Sequence, residues 1–535
     1  MSLDPVTLEV CWSRLIAVVN EQAAALQRTS FSSVVREAGD LSAGIFDRRG
    51  HMVAQAVTGT PGHINSMALA MRHFLDAYPI ETLRPGDVLV TNDPWKTSGH
   101  LYDVTICTPV FREEVCVALF ASTCHMVDIG GRVYSAQARD AYEEGLFIPI
   151  VKLYEAGRPN ETLIRFIQTN TRLPDLVLGD FHAQVVGGDV GGRRLLEFMD
   201  EFGLERIEPL ADEILGRTEQ AMRAAIRALR PGAYEYAITS DGFDEPITLR
   251  ARVEVRGDEL VVDYSGSSPE SRHGINVVLN YTLAYTTYGI KAIVSPEVPN
   301  NEGAFRPLMI TAPPGSILNA RHPAPVVARA VIGHFLPHVI SGALSQAIPT
   351  RVMAEGAANI WILHVTGKDL AGKPFVLHAI NSGGTGALAE KDGLGATGFP
   401  SGVLGTPVEV IESISPVVVD RKALRADSGG AGEHRGGLGQ IIAFHVRTRE
   451  PWTCSVLCDR TRLPARGFLG GGPGALGEVW IDGARPANAK AEHVLGPEAR
   501  VELRLPGGGG FGSPAARAPE RSRRDLEAGY VTPPR

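Results

Sequence analysis

Glycine runs punctuate the last third of this chain: Gly383-Gly384, Gly429-Gly430, Gly436-Gly437, Gly470 to Gly472 and Gly507 to Gly510. Each glycine inside a helix costs about 1 kcal/mol relative to alanine, and proline costs more. With 59 glycines and 36 prolines, the chain cannot be a long-helix bundle or a coiled coil. The predicted class is α+β and multi-part, with mixed and antiparallel sheets, packed helices and a glycine-rich β C-terminal region. A length of 535 residues exceeds what one core fills. We place boundaries that give an α+β region at 1–230 carrying the candidate metal site, a β-rich and helical region at 231–514, and a mobile tail at 515–535, where Arg, Pro, Ala and Glu displace apolar residues.

Hydrophobic periodicity supplies the elements. Asp4 can cap a first helix whose apolar face is Leu8, Cys11, Trp12, Leu15, Ile16 and Val19. A second helix is expected after Asn65-Ser66, with Asn65 as a possible cap, and is stopped by Pro79. Asp47 to Gly50 reads as a hairpin turn between Leu41–Phe46 and residues 51–57. Three strand-like runs follow, at Asp87–Thr91, Asp103–Phe111 and Glu114–Cys124, the last two folding about Arg112-Glu113. A helix is predicted at 205–229 and a β-meander at 233–264, with Arg256 to Asp258 as one of its turns. Strands are expected at Gln440–Val446 and Glu478–Ile481.

The net charge of −8 excludes a nucleic-acid or anionic-membrane surface. Six cysteines without a CxxC pair read as buried thiols, and no run of 18 apolar residues occurs, so a cytoplasmic location is expected. The chain holds no GxxxxGK[ST] loop and no HExxH. Gly472 to Gly477 spells GxGxxG, but it precedes a strand where a dinucleotide site needs a helix N-terminus.

The chemical signal lies between Arg36 and Asp128. Two His-x-x-Asp elements, His100 to Asp103 and His125 to Asp128, fall within one short segment. Imidazole and carboxylate together suit one divalent ion such as Zn, Mn or Fe. Folded about Arg112-Glu113, the hairpin sets His100 opposite His125 and Asp103 opposite Ser122, so both elements meet at its open end. Because His100 and Asp103 would face opposite sides of a regular strand, His100 must stand on the preceding loop to share an ion with Asp103. Taken singly, each motif is usually a turn or a surface pair; their convergence, with Asp40 opening another hairpin, carries the metal reading. His334 and His338 read as core or interface histidines because Pro337 interrupts them, and Cys124 is set on the opposite face from His125.

These motifs resemble the hydantoinase B/oxoprolinase family across nearly the whole chain. The likeness runs through DPVTLEV at 4–10, REAGDLS at 36–42, GHINSM at 62–67, TNDPW at 91–95, GHLYDV at 99–104, HMVDIGG at 125–131, EEGLFIPIVKL at 143–153, GDFHAQ at 179–184, DSGGAGEHRGGLG at 427–439 and LPGGGGFG at 505–512. The resemblance implies an ATP-dependent hydrolase of cyclic amides (hydantoin, 5-oxoproline or a lactam). A hydantoinase A-type partner subunit would bind ATP and Mg and phosphorylate the substrate, and water on a metal in this subunit would then attack the activated carbonyl. It maps the metal residues onto Asp40, His100, Asp103 and His125. Asp93 and Asp128 become candidates to orient ligands or accept a proton, His63 and Asn65 to face substrate, and Glu143 or Glu144 to act as a base, although an exposed charge pair is the simpler reading of those two. A heterotetramer or larger assembly is implied. Two alternatives stay open: the alpha-type subunit of an ATP-dependent ketone carboxylase, and a non-catalytic scaffold for the ATP-binding subunit.

Overall fold

The computed structural model describes residues 4–358 and 360–533. The fold is α+β, with helices packed on antiparallel and mixed sheets. The first helix, Pro5–Thr29, starts where Asp4 Oδ1 accepts the amides of Val6 and Thr7, and buries Leu8, Cys11, Trp12, Leu15 and Val19 as expected.

The sheet that carries the site has seven strands: β1 (Leu41–Phe46), β2 (Met52–Gln55), β3 (Val88–Thr91), β4 (Asp103–Arg112), β5 (Val115–His125), β6 (Val151–Glu155) and β7 (Arg158–Pro159), in the spatial order β2-β1-β5-β4-β3-β6-β7. Its central strands are buried on both faces, which explains why they read as continuous apolar runs. The first helix and a long helix at Pro174–Glu201 cover one face, and the helix Pro61–Ala77 covers the other. The long helix holds Gly188, Gly191 and Gly192, which let it lie against the sheet, and Gly187, which faces Gln22 and Leu26 of the first helix. A Cβ on Gly188 would come within 2.4 Å of Thr108 Oγ1, and one on Gly191 within 2.6 Å of the Phe120 ring. Pairs of glycine that would otherwise signal turns here permit close helix-to-sheet approach.

The helix expected after Asn65-Ser66 begins earlier, at Pro61, so His63 and Asn65 lie inside it. Pro61 needs no amide partner in the first turn, which makes it the true start signal. Gly62 lets the rings of Tyr281 and Tyr285, from the helix Leu279–Val294, approach to 2.6 Å of where its Cβ would be.

The predicted meander is β8 (Gly232–Ser240), β9 (Ile247–Arg256) and β10 (Glu259–Asp263), extended by β11 (Leu308–Thr311) parallel to β10. β12 (Trp361–Lys368) and β13 (Pro374–Asn381) form a hairpin in a third sheet, and Gln440–Val446 and Glu478–Ile481 are strands of a fourth, at the residues predicted. One apolar cluster joins Leu101, Tyr102 and Tyr134 to residues from 222 to 511. At the C-terminal end Arg517 pairs with Asp392 and Asp525, and Pro519–Glu527 is helical.

The glycine runs form a sheaf of extended chains. Gly507 donates to the Ala475 carbonyl, Gly508 to Gly437, Gly509 to Glu355 and Gly510 to Gly472, so four successive residues bond to four different segments. The backbones touch: a Cβ on Gly508 would lie 1.9 Å from the Thr385 carbonyl oxygen, and one on Gly436 would lie 1.9 Å from that of Gly508. No side chain fits there. Gly508→Ala is therefore expected to cost more than about 4 kcal/mol or to prevent folding. Gly216→Ala, in the helix Glu208–Arg227 with nothing within 4 Å, should stabilise by about 0.5–1 kcal/mol. Urea denaturation of the two variants separates the cases.

Candidate metal centre

Asp103, the first residue of β4, is the hub of a buried polar cluster. Its Oδ1 lies 2.7 Å from His100 Nε2 and 3.1 Å from His125 Nδ1, and its Oδ2 lies 2.9 Å from His63 Nε2 and accepts from the Arg329 guanidinium. None of these five side chains is more than 4% exposed. Ligand atoms of His100, Asp103 and His125 all fall within 4.8 Å of one another.

The hairpin brings both motifs together, but with another register. Asp103 is directly opposite His125, not Ser122, because the turn residues are Glu113-Glu114, with Glu113 at φ 54°, and the register shifts between Val110 and Phe111. His100 stands on the loop before β4, as the odd spacing requires. Tyr102 stacks on the His125 ring at 5.5 Å, and Tyr134 meets it edge-on at 5.6 Å.

Protonation states follow from the partners. His100 Nδ1 is 2.8 Å from the Val327 carbonyl, which can only accept, so Nδ1 carries the hydrogen. Burial, then the Arg329 charge, pushes this imidazole down to about 3, so it is neutral near pH 7 and its Nε2 is a bare lone pair. That lone pair faces Asp103 Oδ1 at 2.7 Å with no hydrogen between them. Burial would raise Asp103, but Arg329, His100 and His63 hold it well below the usual carboxylate range. Two acceptors in contact repel; a divalent cation beside them removes the repulsion, and the donor set of two imidazoles and one carboxylate suits Zn, Mn or Fe. His63 shows the opposite balance: burial lowers it, yet Asp103 and Asp40 raise it above the ordinary histidine value.

The other predicted residues divide. Asp40 stands behind His63, with Oδ1 3.7 Å from His63 Nε2 and accepting from Thr60 Oγ1, while its carbonyl accepts the His125 amide. Asp93 caps the Trp95 amide and pairs with Lys96, and Asp128 pairs with Arg172 and accepts the Gly130 amide. Asn65 ties the Ala284 carbonyl to Asn300 and lines a separate 220 Å³ pocket. Asp93, Asp128 and Asn65 thus make their contacts away from the three-ligand group. Glu143 pairs with Arg139 and Arg132, but Glu144 departs from the exposed-pair reading. It is 2% exposed, and its Oε1 accepts the amides of Val326 and Val327, which fixes the carbonyl that holds His100. His334 and His338 are buried core residues, as expected. Burial raises the Cys124 thiol well above its ordinary value.

Sequence reasoning missed the partner of Asp103. Arg329 lies 226 residues away, in a segment that reads as apolar; it donates to the Ser98 carbonyl and stacks 4.2 Å over the Tyr281 ring. It also missed His364 and His378, a directly opposed pair on β12 and β13 beside the cluster. An arginine within an otherwise apolar stretch was the available signal for the first, because buried charges require partners.

Fold and cluster together place the chain among α+β proteins built around a buried histidine–carboxylate centre. It belongs to the hydantoinase B/oxoprolinase family, whose model matches residues 4–514. The caprolactamase subunit beta of Pseudomonas jessenii is 31% identical over 99% of this chain and 94% of its own. The crystal structure of ATP-dependent caprolactamase from the same organism superposes with a TM-score of 0.89 at 30% identity, covering 99% of this chain and 95% of that one. A 5-oxoprolinase of Pestalotiopsis fici is 31% identical over 98% of this chain, which spans 43% of that longer protein. A nucleotide-free acetone carboxylase structure shares the fold, with a TM-score of 0.86 at 20% identity over 99% of this chain and 78% of that one.

Two outcomes are expected. Arg329→Leu strands a buried carboxylate and should cost about 3–5 kcal/mol in urea denaturation, part of it restored by added Zn²⁺ or Mn²⁺. Glu144 is raised by burial from 4.5 to about 8, so between those values the folded state holds a proton that the unfolded chain has lost, and stability falls as pH rises. Glu144→Gln keeps an oxygen for the two amides and should flatten that slope by up to about 1.4 kcal/mol per pH unit, read from denaturation midpoints across that range.

Proposed function

We propose that this chain is the hydrolytic B subunit of a cytoplasmic, ATP-dependent cyclic amide hydrolase acting on a hydantoin, 5-oxoproline or a lactam. The observation that carries this reading is the bare His100 Nε2 set against Asp103, an acceptor pair that calls for a cation, in a chain of this family. A ring amide resists water because resonance stabilises it; phosphorylation of its oxygen removes that resistance and creates a leaving group. The sequence carries no phosphate-binding loop of its own, so ATP and Mg belong to a hydantoinase A-type partner, in a heterotetramer or larger assembly. The naming of the caprolactamase relative as a subunit supports a partner.

In this reading His100, Asp103 and His125 hold one divalent ion, Zn, Mn or Fe. Bound there, such an ion supplies Lewis acidity and lowers the pKa of coordinated water toward neutrality. The remaining work belongs to the chain. Val327, set by Glu144, fixes the His100 tautomer. Arg329 keeps Asp103 ionised, and His63, placed between Asp40 and Asp103, turns Oδ2 away from the ligand side so that Oδ1 faces the two imidazoles. The apolar and aromatic surroundings of Tyr102 and Tyr134 keep bulk water out.

Co-expression with an A-type subunit should yield ring opening of hydantoin, 5-oxoproline or caprolactam that depends on ATP and is indifferent to bicarbonate. One equivalent of ion is expected per chain by elemental analysis, lost in the His100→Ala/His125→Ala double variant together with ring opening. Bicarbonate-dependent ATP turnover with a carboxylated product would favour the ketone carboxylase instead, and ring opening by this chain without ATP or partner would refute the mechanism.

A further inference from the structure

Behind the metal ligands lies a second group of imidazoles that the centre does not use. β12 and β13 set His364 directly opposite His378, with ring centroids 5.8 Å apart. They are 4% and 3% exposed. The His378 ring lies 4.8 Å from that of His125, and Tyr134 meets it edge-on at 5.2 Å. Neither ring nitrogen of His378 has a hydrogen-bond partner, nor does Nδ1 of His364. Buried polar atoms are almost always paired, and each unpaired one costs about 1–3 kcal/mol. Three such atoms gathered beside a candidate metal centre mark a place where a ligand completes the bonding.

The same histidine reaches open space. His378 and Val127, two residues beyond His125, form part of the wall of a 770 Å³ cavity whose charged residues are Arg36, Arg172, Lys373, Asp175 and Asp369. That volume falls in the range of small-molecule chambers, about 300–1,000 Å³. None of His100, Asp103 and His125 lines the cavity, so His378 is the polar group between chamber and cluster. In its neutral form an imidazole presents one N–H and one lone pair.

We propose that this cavity is the chamber by which a cyclic amide reaches the metal centre, and that His378 is a substrate-contacting residue hydrogen-bonded to the ring nitrogen, with His364 positioning it. The inference rests on the B-subunit reading and adds the recognition of substrate. A ring amide is locked cis, so its nitrogen and oxygen project from the same side, and a site that receives the oxygen has the nitrogen within reach of an adjacent group. A neutral imidazole serves both forms of such a substrate: its lone pair accepts from the N–H of the free amide, and its N–H donates to the bare nitrogen of the O-phosphorylated form.

The test loads the full chain with Mn²⁺, with a Zn²⁺-loaded reference, and follows the proton relaxation of 2-pyrrolidone and N-methyl-2-pyrrolidone. Wild-type protein is expected to relax 2-pyrrolidone strongly and to bind the N-methyl compound about tenfold more weakly, the weight of one neutral hydrogen bond. His378→Phe should weaken 2-pyrrolidone to the same degree while retaining one equivalent of Mn²⁺, and His378→Gln, which keeps a polar edge, should recover part of the loss. Loss of the ion in either variant would make His378 a metal ligand and overturn the proposal, as would unchanged 2-pyrrolidone relaxation in His378→Phe. A wild-type chain that holds Mn²⁺ yet relaxes neither lactam would instead overturn the B-subunit reading beneath it, and one that takes up no ion would overturn the metal centre itself.

Discussion

The buried ion pair between Arg329 and Asp103 is the contact on which the rest of this structure depends. Both charges are withdrawn from water, and neither would be tolerated alone. The pair joins three separate parts of the chain: the β4–β5 hairpin, the helix that brings His63, and the apolar segment around residue 329. It also sets the electrostatics of the centre. The guanidinium neutralises one carboxylate oxygen and disfavours protonation of His100, so the other oxygen and the His100 Nε2 lone pair are left facing each other as acceptors. At His100 the arginine opposes the proton that a carboxylate alone would draw there.

Much of this was legible in the sequence, and the exceptions have physical causes. The first helix, the Asp47–Gly50 turn, the meander and the strands at 440–446 and 478–481 were readable because cap, period and turn residues agreed. The His100–Asp103–His125 cluster was readable because two short motifs flank one hairpin. Its register was not, since a bulge and a left-handed Glu113 shift the pairing without leaving a mark in the hydrophobic pattern. The helix Pro174–Glu201 has no clean signal because its glycines, ordinarily breakers, serve close packing against Thr108 and Phe120. Asp93, Asp128 and Asn65 stand in quoted motifs, yet they hold turns, a loop and a helix pair; recurrence within a motif marks architecture as readily as chemistry. Glu144, Arg329, His364 and His378 come together only through long-range folding, which no local window reports.

The outer contacts of the centre form a chain of backbone-mediated constraints. Glu144 fixes Val327, Val327 fixes the His100 tautomer, and the Asp40 carbonyl receives the His125 amide. Each link is a hydrogen bond to main chain, so the imidazoles inherit the rigidity of the sheet and of the segment packed on it. Family membership accounts for the shared fold.

The glycine sheaf has a temporal consequence. Its axis, Gly507 to Gly510, is made after every segment it joins: it bonds to Glu355, Gly437 and Gly472, and the first of these adjoins the hairpin that carries His364 and His378. Until that strip arrives, the carbonyls of Glu355, Gly437 and Gly472 that it pairs with are left to water. The sheaf therefore closes only once residue 510 has been made, whereas His100, Asp103, His125 and every residue that lines the 770 Å³ cavity lie before residue 417.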